Sequence, residues 1–188
     1  MRVGEIAAGS LLLASAGLLD PNFADTVVLL LDVNDEGALG VVLNRPSALP
    51  VSEVLGEWGD VVDEPEVLFQ GGPVATDGAL AVALAAPGGE GGAGFRPVWG
   101  RLGLLDLDTP REPGRGHGRP AADLRRVRRL GCRAAWRRRS PRGAWYVVPG
   151  EVEDVFGDEA PDLRRQVLRR QPGDLALHAT RPMDPETN

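Results

Sequence analysis

The sequence predicts an α+β fold, a single compact domain built from short strands and a few short helices. Its 188 residues are 43% hydrophobic, which is enough for one domain with a core of its own. Its 25 glycines and 16 prolines indicate many turns. Strand-like and helix-like segments follow one another without regular alternation, and this favours α+β over a doubly wound parallel sheet.

The first elements are predicted to be strands. Residues 9–14 form a short apolar run, and residues 26–33 form a longer run that suits a strand buried on both faces. Residues 34–37 (Asn-Asp-Glu-Gly) favour a tight turn, and another apolar run follows at 38–43. The two runs and the turn between them predict a β-hairpin.

Helices are predicted where apolar residues recur every three or four positions. Residues 50–58 fit this spacing, with Pro50 near the first turn, and residues 161–170 fit it with arginines near their carboxyl end. Residues 98–107 mix strand and turn character. The remaining apolar runs predict short strands at 67–69, 80–85, 144–148 and 175–179.

The net charge of −6 is unevenly distributed along the chain. Residues 111–142 contain 12 of the 21 arginines and only two of the 27 acids, so this segment carries +10 and the rest of the chain −16. No lysine occurs, which fits a GC-rich coding sequence. The acidic remainder argues against a protein that coats nucleic acid with its whole surface.

Cysteine and histidine usage limits the chemistry. The single cysteine, Cys132, excludes an internal disulfide, and with only His117 and His178 no metal site is expected. No cofactor motif and no apolar run of membrane-spanning length occurs. The apolar run at 11–13 is too short for a signal peptide, so a buried first strand is the preferred interpretation.

The sequence also favours a protein that is not an enzyme, and an enzyme of unrecognised type stays open as an alternative. His178 is the only general-base candidate outside the arginine-rich segment, and a histidine within an apolar run is usually structural. Five acids could include a general acid–base pair, although solvation of turns and strand ends is the favoured interpretation. These acids are Asp32, Asp35, Glu36, Asp106 and Asp108.

Four residues are the candidates for ligand binding: Asn44, Arg45, Gly71 and Gly72. A buried strand ends abruptly at Asn44 and Arg45, and the guanidinium could hold a phosphate or carboxylate in a two-pronged contact. The glycines allow close approach of the backbone and can present N–H groups to an anion. Structural alternatives stay open, namely a local salt bridge for Arg45, a turn hydrogen bond for Asn44 and a simple corner for the glycines.

Several segments resemble the YqgE/AlgH family. The resemblance covers residues 5–108 and resumes at residue 144. The segments that carry it lie at 11–14, 20–23, 27–31, 36–46, 69–74, 168–172 and 179–182. It implies a compact cytosolic α+β domain with a bent sheet that forms a pseudo-barrel. It implies no settled activity, although one branch of the family has been named as a transcriptional regulator.

The arginine-rich segment departs from the family, which usually has a strand here and then a stretch like AGYAGWGPGQLEAE. We hypothesise that residues 110–142 are translated out of frame. Residues 136–142 can be encoded as TGG AGG CGG AGA TCG CCG AGG, and the frame that begins at the third base reads Glu-Ala-Glu-Ile-Ala-Glu, with one preceding C completing a Leu codon before it. Such a segment would be poorly ordered and would leave a sheet edge uncovered.

Two alternatives stay open for this segment. A basic arm around Trp136 would suit phosphate contacts and base stacking, as in a nucleic-acid-binding regulator. A solvated, charged helix is the other. The favoured function is a cytosolic binding or regulatory protein whose partner is a small anionic ligand or another protein. Nucleic acid is the less favoured partner, and no membrane association is expected.

Overall fold

Eleven strands form three antiparallel sheets in the described parts of the chain. The computed structural model describes residues 6–35, 37–71, 80–109, 124–130, 134–136, 143–157 and 162–179. Only the backbone is described for residues 124–130 and 134–136.

The first sheet has five strands in the order β10-β3-β2-β1-β11. They are β1 (Ser10–Ala14), β2 (Val27–Asn34), β3 (Gly37–Val42), β10 (Ala134–Trp136) and β11 (Trp145–Pro149). β2 and β3 form the predicted hairpin, and the Asn34 side chain accepts a hydrogen bond from the Gly37 amide at 3.1 Å. All of β1 and the first five residues of β2 are buried, which confirms the predicted buried first strand and, up to residue 31, the predicted burial of the second strand on both faces.

The second sheet has four strands in the order β7-β8-β6-β9. They are β6 (Leu80–Ala85), β7 (Phe95–Trp99), β8 (Leu102–Leu105) and β9 (Leu124–Leu130). β4 (Pro46–Pro50) and β5 (Val67–Phe69) form a two-stranded sheet. Leu68 of β5 and apolar residues of the segment 51–62 between these strands pack on one face of the four-stranded sheet in a separate cluster. Strand β4 has no counterpart in the sequence prediction, because prolines at both of its ends weaken the strand signal.

The first predicted helix is only partly correct. Residues 50–58 divide into the α-helix α1 (Val51–Val54) and a 3-10 helix at Gly56–Val61. Gly56 and Gly59 lower the propensity for a continuous α-helix. A further α-helix that the sequence did not predict, α2 (Val152–Phe156), follows β11.

The carboxyl-terminal part combines one correct and one wrong prediction. The predicted second helix is present as α3 (Leu163–Arg169). The strand predicted at 175–179 is wrong, because Gly173–Ala179 forms a 3-10 helix. Leu175 and Ala179 both pack on the main core, whereas Leu177 between them is 68% exposed, so burial does not follow the period of two that a strand needs.

The main core lies between the first two sheets. Leu11 and Leu29 face Val82 and Leu102 across it, and Phe156 of α2 closes one side. The core cluster also includes the buried face of α3. The architecture is therefore α+β with antiparallel sheets and a few short helices, as predicted, and the described strands do not close into a barrel.

A glycine contact connects the two large sheets. The indole of Trp99, at the end of β7, lies against Gly9, which precedes β1 and has a φ of +86°. A Cβ at position 9 would come within about 2.4 Å of the ring. The Gly150 amide donates a hydrogen bond to the Gly9 carbonyl at 3.0 Å, and a Cβ at position 150 would lie 2.6 Å from that oxygen.

Two strands fall within the segment 110–142, most of which lies outside the described residues. β9 pairs with β6 at one edge of the second sheet, and β10 pairs with β3 at one edge of the first. Positions 126 and 128 of β9 stand opposite Leu84 and Val82, which both belong to the main core. The fold thus puts arginines in register with core residues.

Candidate functional site

The end of the first sheet that carries Asn44 brings together residues from distant parts of the chain. At this end β1 stops at Ala14, β2 begins at Val27, and β11 begins at Trp145. The registers Leu13↔Val27 and Ala14↔Trp145 hold these strand ends side by side. Asn44 follows β3 here, so its side chain lies beside the loop that precedes β2.

Asn44 fixes the start of β2. Its Oδ1 accepts a hydrogen bond from the Val27 amide at 2.8 Å, and its Nδ2 donates to the Asp25 carbonyl at 2.8 Å. Asp25 adopts a left-handed conformation with φ 58°, which an aspartate tolerates better than most residues. The amide of Asn44 therefore holds the loop at its tightest bend.

Arg45 holds the rest of the same loop. Its Nη1 donates to the Asn22 carbonyl at 3.0 Å, and its Nη2 donates to the carbonyls of Pro21 and Ala24 at 3.1 and 2.8 Å. The Asp20 side chain forms a turn of its own by accepting from the Asn22 amide at 2.9 Å. The guanidinium replaces the backbone partners that an irregular loop lacks.

The charge of Arg45 is not neutralised by a carboxylate among the described residues. Three of its five N–H groups donate to carbonyls, so the Nε–H and one Nη1–H have no acceptor within that part of the chain. The side chain is partly exposed. A cation that is held in a fixed position and has unused N–H groups can donate a single hydrogen bond to an anion.

The second candidate segment lies directly beside the first. β4 pairs with β5 through Pro46 and Phe69, and the Gln70 amide donates to the Arg45 carbonyl at 2.8 Å. Gly71 follows and is partly buried. Asn44, Arg45 and Gly71 therefore lie in one neighbourhood, whereas Gly72 falls outside the described residues.

Arg164 of α3 reaches the same end of the sheet and was not a candidate from the sequence. Its Nε donates to the Ala14 carbonyl at 2.9 Å, and Asp25 Oδ1 lies 3.6 Å from the same nitrogen. Its side chain is only 9% exposed. Burial lowers the pKa of the Arg164 guanidinium, against the opposite effects of Asp25 and Tyr146.

His178 lies against Tyr146 of β11. The rings are 5.1 Å apart, and the Tyr146 hydroxyl is 3.5 Å from His178 Nδ1, which is the long limit for a hydrogen bond. Both side chains are partly exposed. The contact packs His178, a residue of the carboxyl-terminal 3-10 helix, against β11.

The candidate acids do not form a pair in the described residues. Asp32 lies on β2 of the first sheet, whereas Asp106 and Asp108 follow β8 of the second. Asp106 accepts hydrogen bonds from the Asp108 amide at 3.0 Å and from the Thr109 hydroxyl at 3.1 Å, so it forms a turn. Asp35 is exposed at the hairpin turn, and Glu36 falls outside the described residues.

The described residues contain no group of three or more His, Cys, Asp or Glu side chains that could hold a metal ion. None of their helices has the length and apolar character needed to cross a membrane.

The fold and the polar sheet end define a class of α+β proteins with antiparallel sheets and an arginine-anchored loop. Residues 11–176 match the AlgH-like family, and the chain belongs to this family. It is 47% identical over 189 residues to a UPF0301 protein of Streptomyces coelicolor, with 96% of this chain and 94% of the relative covered. A UPF0301 protein of Mycobacterium tuberculosis is 40% identical over 191 residues, with 98% and 92% covered.

Solved structures agree with the fold. A crystal structure of protein DIP2367 from Corynebacterium diphtheriae has a TM-score of 0.82 at 25% identity and covers 96% of this chain and 95% of its own. The solution structure of the AlgH protein from Pseudomonas aeruginosa has a TM-score of 0.62 at 23% identity and covers 97% of this chain and 98% of its own. The second likeness concerns the fold alone.

Proposed function

We propose that this protein is a cytosolic binding or regulatory protein and not an enzyme, and that Asn44, Arg45, Gly71 and Gly72 mark the surface where it binds a small anionic ligand. The observation that carries the proposal is the state of Arg45. Its guanidinium is fixed by three carbonyls, and within the described residues it has no carboxylate to neutralise its charge and no acceptor for two of its N–H groups.

Pre-organisation supports binding at this surface. The loop of residues 20–25 is held by Arg45 from one side and by Asn44 from the other, so a ligand would not have to order it. Gly71 follows a backbone contact to Arg45, and a glycine lets a ligand approach the main chain closely. The ligand contacts proposed for Arg45 are single hydrogen bonds, because both N–H groups of its Nη2 are already used.

The test is a thermal-shift screen of small carboxylates and phosphates against the wild type, Arg45→Ala and Arg101→Ala. Arg101 is the matched control, since its Nη1 also donates to a backbone carbonyl, that of Ala85 at 3.0 Å, on the other sheet. We expect Arg45→Ala to weaken binding by about tenfold, the value of one charge-assisted hydrogen bond. Ligand-dependent shifts that survive Arg45→Ala unchanged would refute the site.

A loop that collapses in Arg45→Ala would also weaken binding. The Gly71 amide resonance of the wild type separates the two cases, because a ligand at this surface moves it and a ligand elsewhere does not. A protein partner is the second candidate, and Leu19, which lies just before the loop and is 80% exposed, is the residue chosen to test it. Loss of an isolated partner on Leu19→Ser, with the anion response intact, would favour that candidate.

For residues 110–142 we propose translation out of frame. The support is the register of β9, where arginines at 126 and 128 stand opposite the core residues Leu84 and Val82. The nucleotide sequence of codons 105 to 145 is the test. Codons that yield no family-like segment in another frame would refute the proposal.

If the codons yield no family-like segment, the nucleic-acid alternative gains support, because residues 111–142 would then be a genuine block of charge +10. It predicts DNA binding that weakens steeply with salt and is lost when residues 111–142 are replaced by a neutral segment of equal length. DNA affinity that persists in the replaced protein would exclude it.

A further inference from the structure

Arg164 is a buried cation with most of its donors unused. Its side chain is 9% exposed, and its only hydrogen bond within the described residues runs from Nε to the Ala14 carbonyl. Asp25 Oδ1 lies 3.6 Å from Nε, which is too far for a hydrogen bond. The four N–H groups on Nη1 and Nη2 therefore have no acceptor in the described part of the chain.

A buried guanidinium in this state is costly. Taking a charge out of water carries a large penalty, which hydrogen bonds and an opposite charge must offset. Among the described residues the nearby carboxylate is that of Asp25, which is 55% exposed and lies 3.6 Å from Nε. Buried donors without acceptors usually mark the place of a water, an ion or a ligand.

We infer that Nη1 and Nη2 of Arg164 form a second anion-binding site, which takes a small oxyanion such as a phosphate or a carboxylate. The planar fork of two nitrogens matches the paired oxygens of either group. Arg164 meets the loop of residues 20–25 at Asp25, whereas Arg45 meets it at Asn22, Pro21 and Ala24. The inference rests on a different arginine and does not depend on the proposed function.

The test uses the full-length protein, with inorganic phosphate and acetate as separate probes at constant ionic strength. The readouts are the thermal unfolding midpoint and the Arg164 Nε–H resonance, which the hydrogen bond to Ala14 protects from exchange. We expect either probe to raise the midpoint and to move this resonance, and a response to only one of them identifies which oxyanion fits.

Three variants refine the result. Arg164→Lys should weaken binding by about tenfold or more, because lysine cannot form the two-pronged contact. Asp25→Asn should strengthen it by about threefold, since a competing negative charge is removed. Arg165→Lys is the control and should change nothing, because Arg165 is 56% exposed and pairs with Asp162 on the surface.

A wild-type protein that shows no response of the Arg164 resonance to either probe would overturn the inference. An equal response in Arg164→Lys would do the same. If Arg164→Lys does not fold, the Asp25→Asn and wild-type titrations decide alone. Responses that vanish with Arg45→Ala but not with Arg164→Lys would assign the anion to the Arg45 surface instead.

Discussion

Arg164 and Arg170 come from the same helical segment, six positions apart, yet their charges are satisfied in opposite ways. Arg170 donates from both Nη atoms to the Asp154 carboxylate at 2.5 and 2.6 Å, and Glu151 lies 3.4 Å from its Nε. The hydrogen bond to Asp154 is the main reason that the pKa of Arg170 is raised. Burial is the main reason that the pKa of Arg164 is lowered.

The comparison shows that burial of an arginine does not by itself indicate a structural role. Arg170 connects the end of α3 to α2, where Asp154 is 3% exposed and also accepts a hydrogen bond from the Glu151 amide at 2.7 Å. That arrangement is complete. Arg164 is more deeply buried and has one hydrogen bond in the described residues, so its environment is incomplete.

The largest effect is expected for Arg170→Ala. It leaves the buried Asp154 carboxylate without its cation and should lower the free energy of unfolding by about 3 kcal/mol. Urea denaturation measures the loss, and Arg169→Ala is the matched control because Arg169 is exposed on the same helix. A loss no larger than that of the control would show that Arg170 does not stabilise the contact between α2 and α3.

A much smaller effect is expected for Arg164→Met. Methionine keeps the apolar stem and removes a charge whose burial is poorly offset, so the free energy of unfolding should change by less than about 1 kcal/mol in phosphate-free buffer. The same denaturation experiment measures it. A loss as large as that of Arg170→Ala would mean that Arg164 is a structural clamp after all.

The smallest effect is expected for Asp25→Asn. The carboxylate is 55% exposed and lies 3.6 Å from Arg164, so the free energy of unfolding should fall by no more than about 0.5 kcal/mol. The left-handed backbone of Asp25 is equally acceptable for asparagine. A larger loss would show that Asp25 is the true counterion of Arg164 and would remove the contrast with Arg170.

The strand framework could be predicted because its signals are local. The turn at 34–37 and the apolar runs on either side define the β2–β3 hairpin within 18 residues of sequence. The carboxyl-terminal 3-10 helix could not be predicted. Residues 175–179 are too few to separate the two-residue period of a strand from the longer period of a helix, and contact with the core decided the outcome.

The site could be predicted in part for the same reason. Asn44 and Arg45 stand out because a buried strand ends in two polar residues, but their partners are backbone groups up to 24 positions earlier, which no local pattern reveals. No pattern in the sequence marked Arg164 as a site residue. It lies 150 positions from Ala14, and an arginine next to Leu163 in an amphipathic helix is expected to be solvated.

The contact between Trp99 and Gly9 limits how the chain can vary. The ring occupies the space of a Cβ at position 9, and Gly150 is confined by the Gly9 carbonyl. Gly9 and Gly150, which flank the same end of the pairing between β1 and β11, and Trp99 of β7 must therefore change together or not at all. A methyl group introduced at position 9 would displace the indole and separate the sheets, so a mutation far from any charged residue could open the core.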